Sequence, residues 1–175
     1  YDCVLPLSGG KDSMFQAHVL INVYGMKPLG VTHNTNWYSK TGYYNLMNLL
    51  EVFEIDHMMF TPNRGLVNKL AKRSLSKIGD ACWHCHSGAG AYPWQVATKF
   101  KIPLLVYGES TAESHGRTSY DKDEFTHDMN YFTNVSAGCT PSEMTGDGIS
   151  GADVLPYQLP SQQEADEVGV TGIHL

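Results

Sequence analysis

The stretch Cys3-Val-Leu-Pro-Leu-Ser-Gly-Gly-Lys-Asp-Ser13 constrains this chain more than any other feature. A short apolar run is followed by a glycine pair and then by an amphipathic segment in which Met14, Ala17, His18 and Ile21 share one helical face. A strand that turns through glycines into a helix is the start of a βαβ unit. Such a unit needs a parallel partner strand and a helix laid across the sheet. The same alternation recurs through the front half. Strands are predicted at Cys3–Leu7, Pro28–Thr32, His57–Thr61 and Leu104–Tyr107, and helices at Ser13–Tyr24, Thr41–Phe53, Arg64–Ile78 and Tyr92–Phe100. Gly25 and Gly79 stand where helix C-termini favour a left-handed residue, and Pro93 falls in the expected first turn of its helix. The pattern predicts an α/β fold: an open, mainly parallel twisted sheet with helices on both faces, and a loop-rich acidic C-terminal part.

With 175 residues, the chain has room for one domain of ordinary size. Residues 1–110 are expected to form a nucleotide-binding core, and 111–175 an extension that completes the same domain. In the extension only Asp121–Val135 and the capping box Ser161-Gln-Gln-Glu164 suggest helices. Both ends look cut, since a strand starts at residue 2 and another opens at Gly172-Ile-His-Leu175. No apolar run is long enough to span a bilayer, so no membrane association is expected. The four cysteines suggest a reducing, cytoplasmic setting in a chain that needs no disulfide staples.

The net charge of −6 disfavours nucleic acid as a partner. That average conceals a split: residues 1–101 carry 10 basic and 6 acidic side chains, whereas residues 102–175 carry 2 and 12. The front half is therefore the one suited to an anion.

The glycine turn is the natural place for it. A helix N-terminus presents unpaired N–H groups and a partial positive charge. Gly9 and Gly10 allow phosphate oxygens to approach the backbone, Ser8 and Ser13 offer hydroxyl donors, and Lys11 adds a point charge. Asp12 would repel a bare phosphate and makes sense as a helix cap or as a contact to Mg²⁺. The spacing is not that of a Walker loop, because Leu5 and Asp12 occupy the positions where glycine and Ser/Thr would be required. Ligands of open α/β sheets sit beyond the carboxyl ends of the strands. Leu7, Thr32-His33-Asn34 and Gly108-Glu109 are therefore expected around the nucleotide, with Glu109 as metal ligand, base or simply a solvated acid. His115 falls on a loop near the same edge, while His18 and His57 fit packing or surface positions better. Aromatic residues in Asn36-Trp-Tyr38 and Gly42-Tyr-Tyr44 could stack on a sugar or base, or pack in the core.

A second cluster is Gly79-Asp-Ala-Cys-Trp-His-Cys-His86. The spacing of Cys82 and Cys85 lets two thiolates reach one metal, zinc or an iron–sulfur cluster, with His84, His86 or Cys139 completing the set. Free structural thiols and a redox pair are the alternatives.

The Ser8–Ser13 loop resembles that of the PP-loop ATP pyrophosphatases, whose fold is adenine nucleotide alpha hydrolase-like. Within that superfamily the chain resembles the N-acetyl sugar amidotransferases of lipopolysaccharide and flagellin-glycan biosynthesis. The resemblance is carried by the loop, Gly42…Asn45-Leu, Asp56-His57…Phe60-Thr-Pro-Asn63, Gly79-Asp…Cys82-Trp-His-Cys85, Pro103…Gly108-Glu-Ser110 and Leu155-Pro-Tyr-Gln-Leu-Pro-Ser161. It covers nearly the whole chain, densely to about residue 110. It implies that ATP is cleaved between the α and β phosphates and that the acetamido group of a nucleotide-linked sugar is adenylylated and then aminated. Ser8, Lys11, Asp12 and Ser13 would carry the chemistry. Leu7, Ser8, Gly9, Gly10, Ser13, Thr32, His33, Gly108 and Glu109 would hold the nucleotide, and Cys82, Cys85 and Cys139 a metal. A glutaminase and a cyclase-like partner would supply the ammonia. Family members carry further cysteines ahead of the first strand and a segment beyond Leu175, which this chain lacks. Rival readings are a tRNA-thiolating enzyme of the same superfamily, an amidating synthetase, and an ATP-binding sensor without turnover.

Overall fold

A computed structural model describes residues 1–108, 129 and 137–175. The elements run β1 (Cys3–Pro6), α1 (Lys11–His18), β2 (Pro28–His33), α2 (Lys40–Val52), β3 (His57–Phe60), α3 (Arg64–Ile78), α4 (Trp83–Phe100), β4 (Leu104–Tyr107), α5 (Gly151–Val154), α6 (Gln162–Val168) and β5 (Thr171–His174). The five strands form one sheet in the order β3-β2-β1-β4-β5, and every neighbouring pair is parallel. This is the open α/β architecture that the strand–helix alternation predicts.

Side-chain alternation along β1 divides the interior in two. Cys3, Leu5 and Leu7 point to the face covered by α1 and α2, where they pack with Ala17, Leu20, Leu46 and Leu49. Val4 points the other way, into a cluster with Trp94, Val96 and Ala97 of α4 and Ala165 of α6. Both faces of β2 are covered, so all six of its residues are buried, as a central parallel strand requires. A third cluster joins Leu70 of α3 to Trp83, Cys139, Met144, Ile149, Val154 and Tyr157, docking the C-terminal segment beside the sheet. Trp83 anchors it by donating its indole N–H to the carbonyl of Cys139 at 2.8 Å.

The expected helix at Tyr92–Phe100 is in fact the second half of the 18-residue α4, which begins at Trp83 and carries Pro93 inside it. An internal proline forfeits a backbone hydrogen bond and crowds the preceding turn, at a cost of about 3 kcal/mol. Ten residues of α4 are buried, Trp83, Trp94, Val96 and Ala97 among them, and their packing outweighs that cost. The first helix starts at Lys11 rather than Ser13 and continues as a π-helical turn over Val19–Val23. The segment Gly172–Leu175, expected to open a strand, belongs to β5, which pairs with β4 through Leu105 and Gly172. The helix expected at Asp121–Val135 lies outside the described residues.

Candidate nucleotide site

The loop between β1 and α1 is built around one close approach. Leu7 continues the ladder by donating its N–H to the Val31 carbonyl at 2.8 Å. The backbone then turns through Gly9 at φ 78°, where a side chain is strained and where a Cβ would stand 2.7 Å from the Leu46 amide nitrogen of α2. Only glycine lets the turn lie that close to the neighbouring helix. The serines brace it: Ser8 donates its backbone N–H to Ser13 Oγ at 3.0 Å, and Gly10 donates to Ser8 Oγ at 3.3 Å. The two hydroxyls lie 3.2 Å apart. From α2's approach segment, Tyr38 donates its hydroxyl to the Ser8 carbonyl at 3.2 Å.

These bonds tie the loop's shape to its own side chains and leave the head of α1 open. Its N-cap is Gly10, which has no side chain with which to cap the first turn. Lys11 and Asp12 stand in that turn with their side chains largely in solvent, the ammonium 2.6 Å from the Asp12 carboxylate. The arrangement is a helix N-terminus with one cation and one carboxylate beside it, suited to an anion accompanied by a metal ion.

Leu7, Ser8, Gly9, Gly10, Lys11, Asp12 and Ser13 thus share one turn. Gly108, at the carboxyl end of β4, presses on the same helix: a Cβ there would lie 2.4 Å from Gln16 Oε1 of α1. Gln16 is buried and donates to the Val106 carbonyl at 3.4 Å, fastening β4 to α1 one turn below Asp12. Thr32 is placed differently. Its buried hydroxyl donates to the Leu7 carbonyl at 2.7 Å and lies 2.8 Å from His57 Nε2, so it shapes the loop's entry through the backbone. Glu109 and His115 lie outside the described residues.

His33 turns away from the glycine loop into a buried aromatic nest. Its ring packs edge-on to Tyr157 and tilted against Phe60, and it fills the space that a Cβ at Gly88 of α4 would occupy. Among the described residues neither ring nitrogen has a hydrogen-bond partner, and burial, aided by His84, pulls its pKa down to about 4. His84 is fully buried with Trp37 edge-on at 4.6 Å, and burial lowers its pKa as well.

The metal set expected from Cys82, Cys85 and Cys139 is not assembled. Among the described residues, no group of three or more His, Cys, Asp or Glu side chains is arranged to hold a metal ion. Cys82 serves as the N-cap position of α4, with its N–H donated to Asp80 at 2.7 Å, and Cys85 lies in the first helical turn. Cys139 instead lies beside Glu143, with its sulfur 3.5 Å from Oε2. Burial pushes the Cys85 thiol up to about 11, reinforced by Cys82 and Asp80, and burial raises Cys82 and Cys139 too.

Tyr38, Gln16, Gly88 and Tyr157 carry structural roles that the sequence pattern did not assign. Tyr38 could have been suspected from its place after β2. Gln16 and Gly88 gave no signal, because a buried amide on a helix face and a helical glycine have many other uses.

No family model matches the chain. It is 24% identical over 115 residues to an uncharacterized protein of Methanocaldococcus jannaschii, a stretch amounting to 66% of this chain and 40% of that protein. The chain thus spans well under half the length of this curated relative. The crystal structure of a predicted subunit of a tRNA methyltransferase from the same organism is similar with a TM-score of 0.45 and 18% identity. That match covers 80% of this chain and 66% of the other.

Proposed function

We propose that the chain binds ATP through residues 7–13 and activates an amide oxygen as its adenylyl ester. The observation that carries this reading is the glycine loop itself: Gly9 tight against α2, the serines cross-braced, and the head of α1 left without a cap. The amide is best taken as the acetamido group of a nucleotide-linked N-acetyl sugar, on the sequence resemblance set out above.

An amide carbonyl resists substitution because its oxygen leaves poorly. Attack of that oxygen on the α-phosphorus forms a new P–O bond and breaks the bond to the β-phosphate, releasing pyrophosphate. Ammonia then adds to the imidate carbon, loses a proton to solvent, and AMP departs with the former amide oxygen, leaving an acetamidino group. Positioning and charge neutralisation at the phosphates are the protein's contribution. The α1 N-terminus and Lys11 would face the β and γ phosphates, and the hydroxyls of Ser8 and Ser13 would turn from each other toward their oxygens. Asp12 is the carboxylate placed to hold Mg²⁺, an ion that commonly takes one or two carboxylates together with substrate phosphates. Mg²⁺ would neutralise charge on the departing pyrophosphate. Among the described residues no third ligand is grouped with Cys82 and Cys85, and no step is assigned to zinc or to an iron–sulfur cluster. A cytoplasmic setting and an ammonia-supplying glutaminase and cyclase-like pair complete the proposal.

The test is pyrophosphate release from ATP with ammonium and candidate nucleotide-linked sugars, with the product examined by mass spectrometry for exchange of O for NH. Ser8→Ala and Asp12→Ala are expected to lower release by about a hundredfold while the fold is retained. Wild-type rates in both variants would overturn the assignment. Release that is stimulated by transfer RNA and not by any sugar would move the substrate to the thiolation class.

A further inference from the structure

One face of α3 carries Lys69, Lys72, Arg73, Ser76 and Lys77 at helical spacing, beside the stripe of buried Val67, Leu70 and Ser74. Like charges three and four residues apart repel, so such a face is an electrostatic liability unless something negative sits on it. The chain supplies only part of that counter-charge. A tight turn at Gly146-Asp-Gly148 leans on the helix, with all three residues at positive φ and Gly146 and Ile149 exchanging backbone hydrogen bonds of 2.9 and 3.0 Å. Asp147 pairs with Arg73, the Thr145 carbonyl accepts from Arg73 at 2.6 Å, and the Gly148 carbonyl accepts from Lys69 at 3.2 Å. Glu143 stands 3.7 Å from Lys77. Asp153 also feels the charge of Lys69, so four cations meet three carboxylates, and among the described residues Lys72 has no acidic partner. Between helix and turn lies an open groove of about 560 Å³. That volume lies within the range of sites for nucleotide-sized ligands.

We propose that this groove is an anion site, separate from the glycine loop, for a small molecule bearing a phosphate or diphosphate group. The chemistry favours phosphate over a planar carboxylate. The Arg73 guanidinium, the group that would grip a carboxylate with two parallel bonds, is already engaged by Asp147 and Thr145. Lys72 has no acidic partner among the described residues, and Lys69 and Lys77 each donate one ammonium hydrogen to a backbone carbonyl, of Gly148 and Glu143, keeping further N–H donors. Such point charges suit a tetrahedral oxyanion. Arg73 acts as the strut that holds the turn and so sets the groove's width. The site lies in a chain of net charge −6, which makes a local excess of positive charge informative about its ligand.

The experiment is a titration of the full chain with inorganic pyrophosphate, with a nucleoside diphosphate and with an RNA oligonucleotide, followed by backbone amide shifts at constant ionic strength. Saturable shifts in Lys69–Lys77 and residues 145–149 are expected with pyrophosphate or the nucleoside diphosphate. In K69Q/K72Q, whose exposed glutamines keep the helix propensity, binding there should weaken about tenfold or more while shifts at residues 8–13 persist. A loop variant, Gly9→Ala, should show the converse. The two sites are therefore judged separately, and failure of the ATP reading leaves this one standing. The proposal falls if shifts on α3 do not saturate, if K69Q/K72Q binds like the wild type, or if only the RNA binds. The last outcome would make the groove part of a nucleic-acid surface.

Discussion

Acidification should unfold this protein partly through His33, and the size of the effect follows from its surroundings. The ring is buried among Phe60, Tyr157 and Gly88, and among the described residues neither nitrogen has a partner to share an added proton with. His84 adds to the effect by disfavouring a second positive charge beside it. Its folded pKa of about 4 lies below the ordinary histidine value of 6.5. Between those two values the unfolded chain binds the extra proton and the folded chain does not, so stability falls as pH falls through this window and levels off below it. The full difference corresponds to about 3 kcal/mol, of which about 2 kcal/mol is lost between pH 7 and pH 5. That is a large share of the stability of an ordinary domain. His57 and His84 are also shifted downward by burial and act in the same direction, so the wild type alone does not isolate His33. The comparison is with His33→Phe, which keeps a ring against the same neighbours and removes the titration. Urea unfolding at pH 7 and pH 5, at constant ionic strength, should show the variant losing about 2 kcal/mol less than the wild type. Parallel pH dependences would refute the burial argument.

Two further outcomes test the packing. Gly88→Ala would place a methyl 2.3 Å from the His33 ring carbon Cε1. The gain in helix propensity is about 1 kcal/mol, and overpacking costs about 1–3 kcal/mol. The melting temperature should therefore fall, whereas a rise would mean the ring has room to move. Ser161→Ala removes a reciprocal cap in which Ser161 donates its N–H to Glu164 at 2.8 Å and its Oγ accepts the Glu164 N–H at 3.3 Å. A loss of about 1 kcal/mol in urea unfolding is expected, with faster amide exchange in α6; unchanged exchange would place the helix's stability in its packing on the sheet.

Much of this molecule could be read before any coordinates. Short apolar runs flanked by amphipathic segments are local signals, and they located β1 through β4 to within a residue or so of each end. The capping box at Ser161 was equally local, because both partners lie within one turn of each other. The helix at Tyr92 was the failure. Pro93 is a local stop signal, and only contact with the sheet, through Trp94, Val96 and Ala97, makes a helix running through it favourable. The positions of the thiols were legible only in part, for a related reason. A spacing of two residues brings Cys82 and Cys85 to one helix end, but where Cys139 goes depends on how the C-terminal segment packs on Trp83.

What the sequence determined by itself is the order of strands and helices and the glycine turn at Ser8–Ser13, since these depend on backbone conformation and on the period of apolar side chains. Tertiary structure decided which surfaces meet: Gly9 against Leu46, Gly108 against Gln16, His33 beneath Gly88, and the Asp147 turn on the cations of α3. Such contacts join residues tens of positions apart, and their energies depend on close packing and charge proximity that no local pattern encodes.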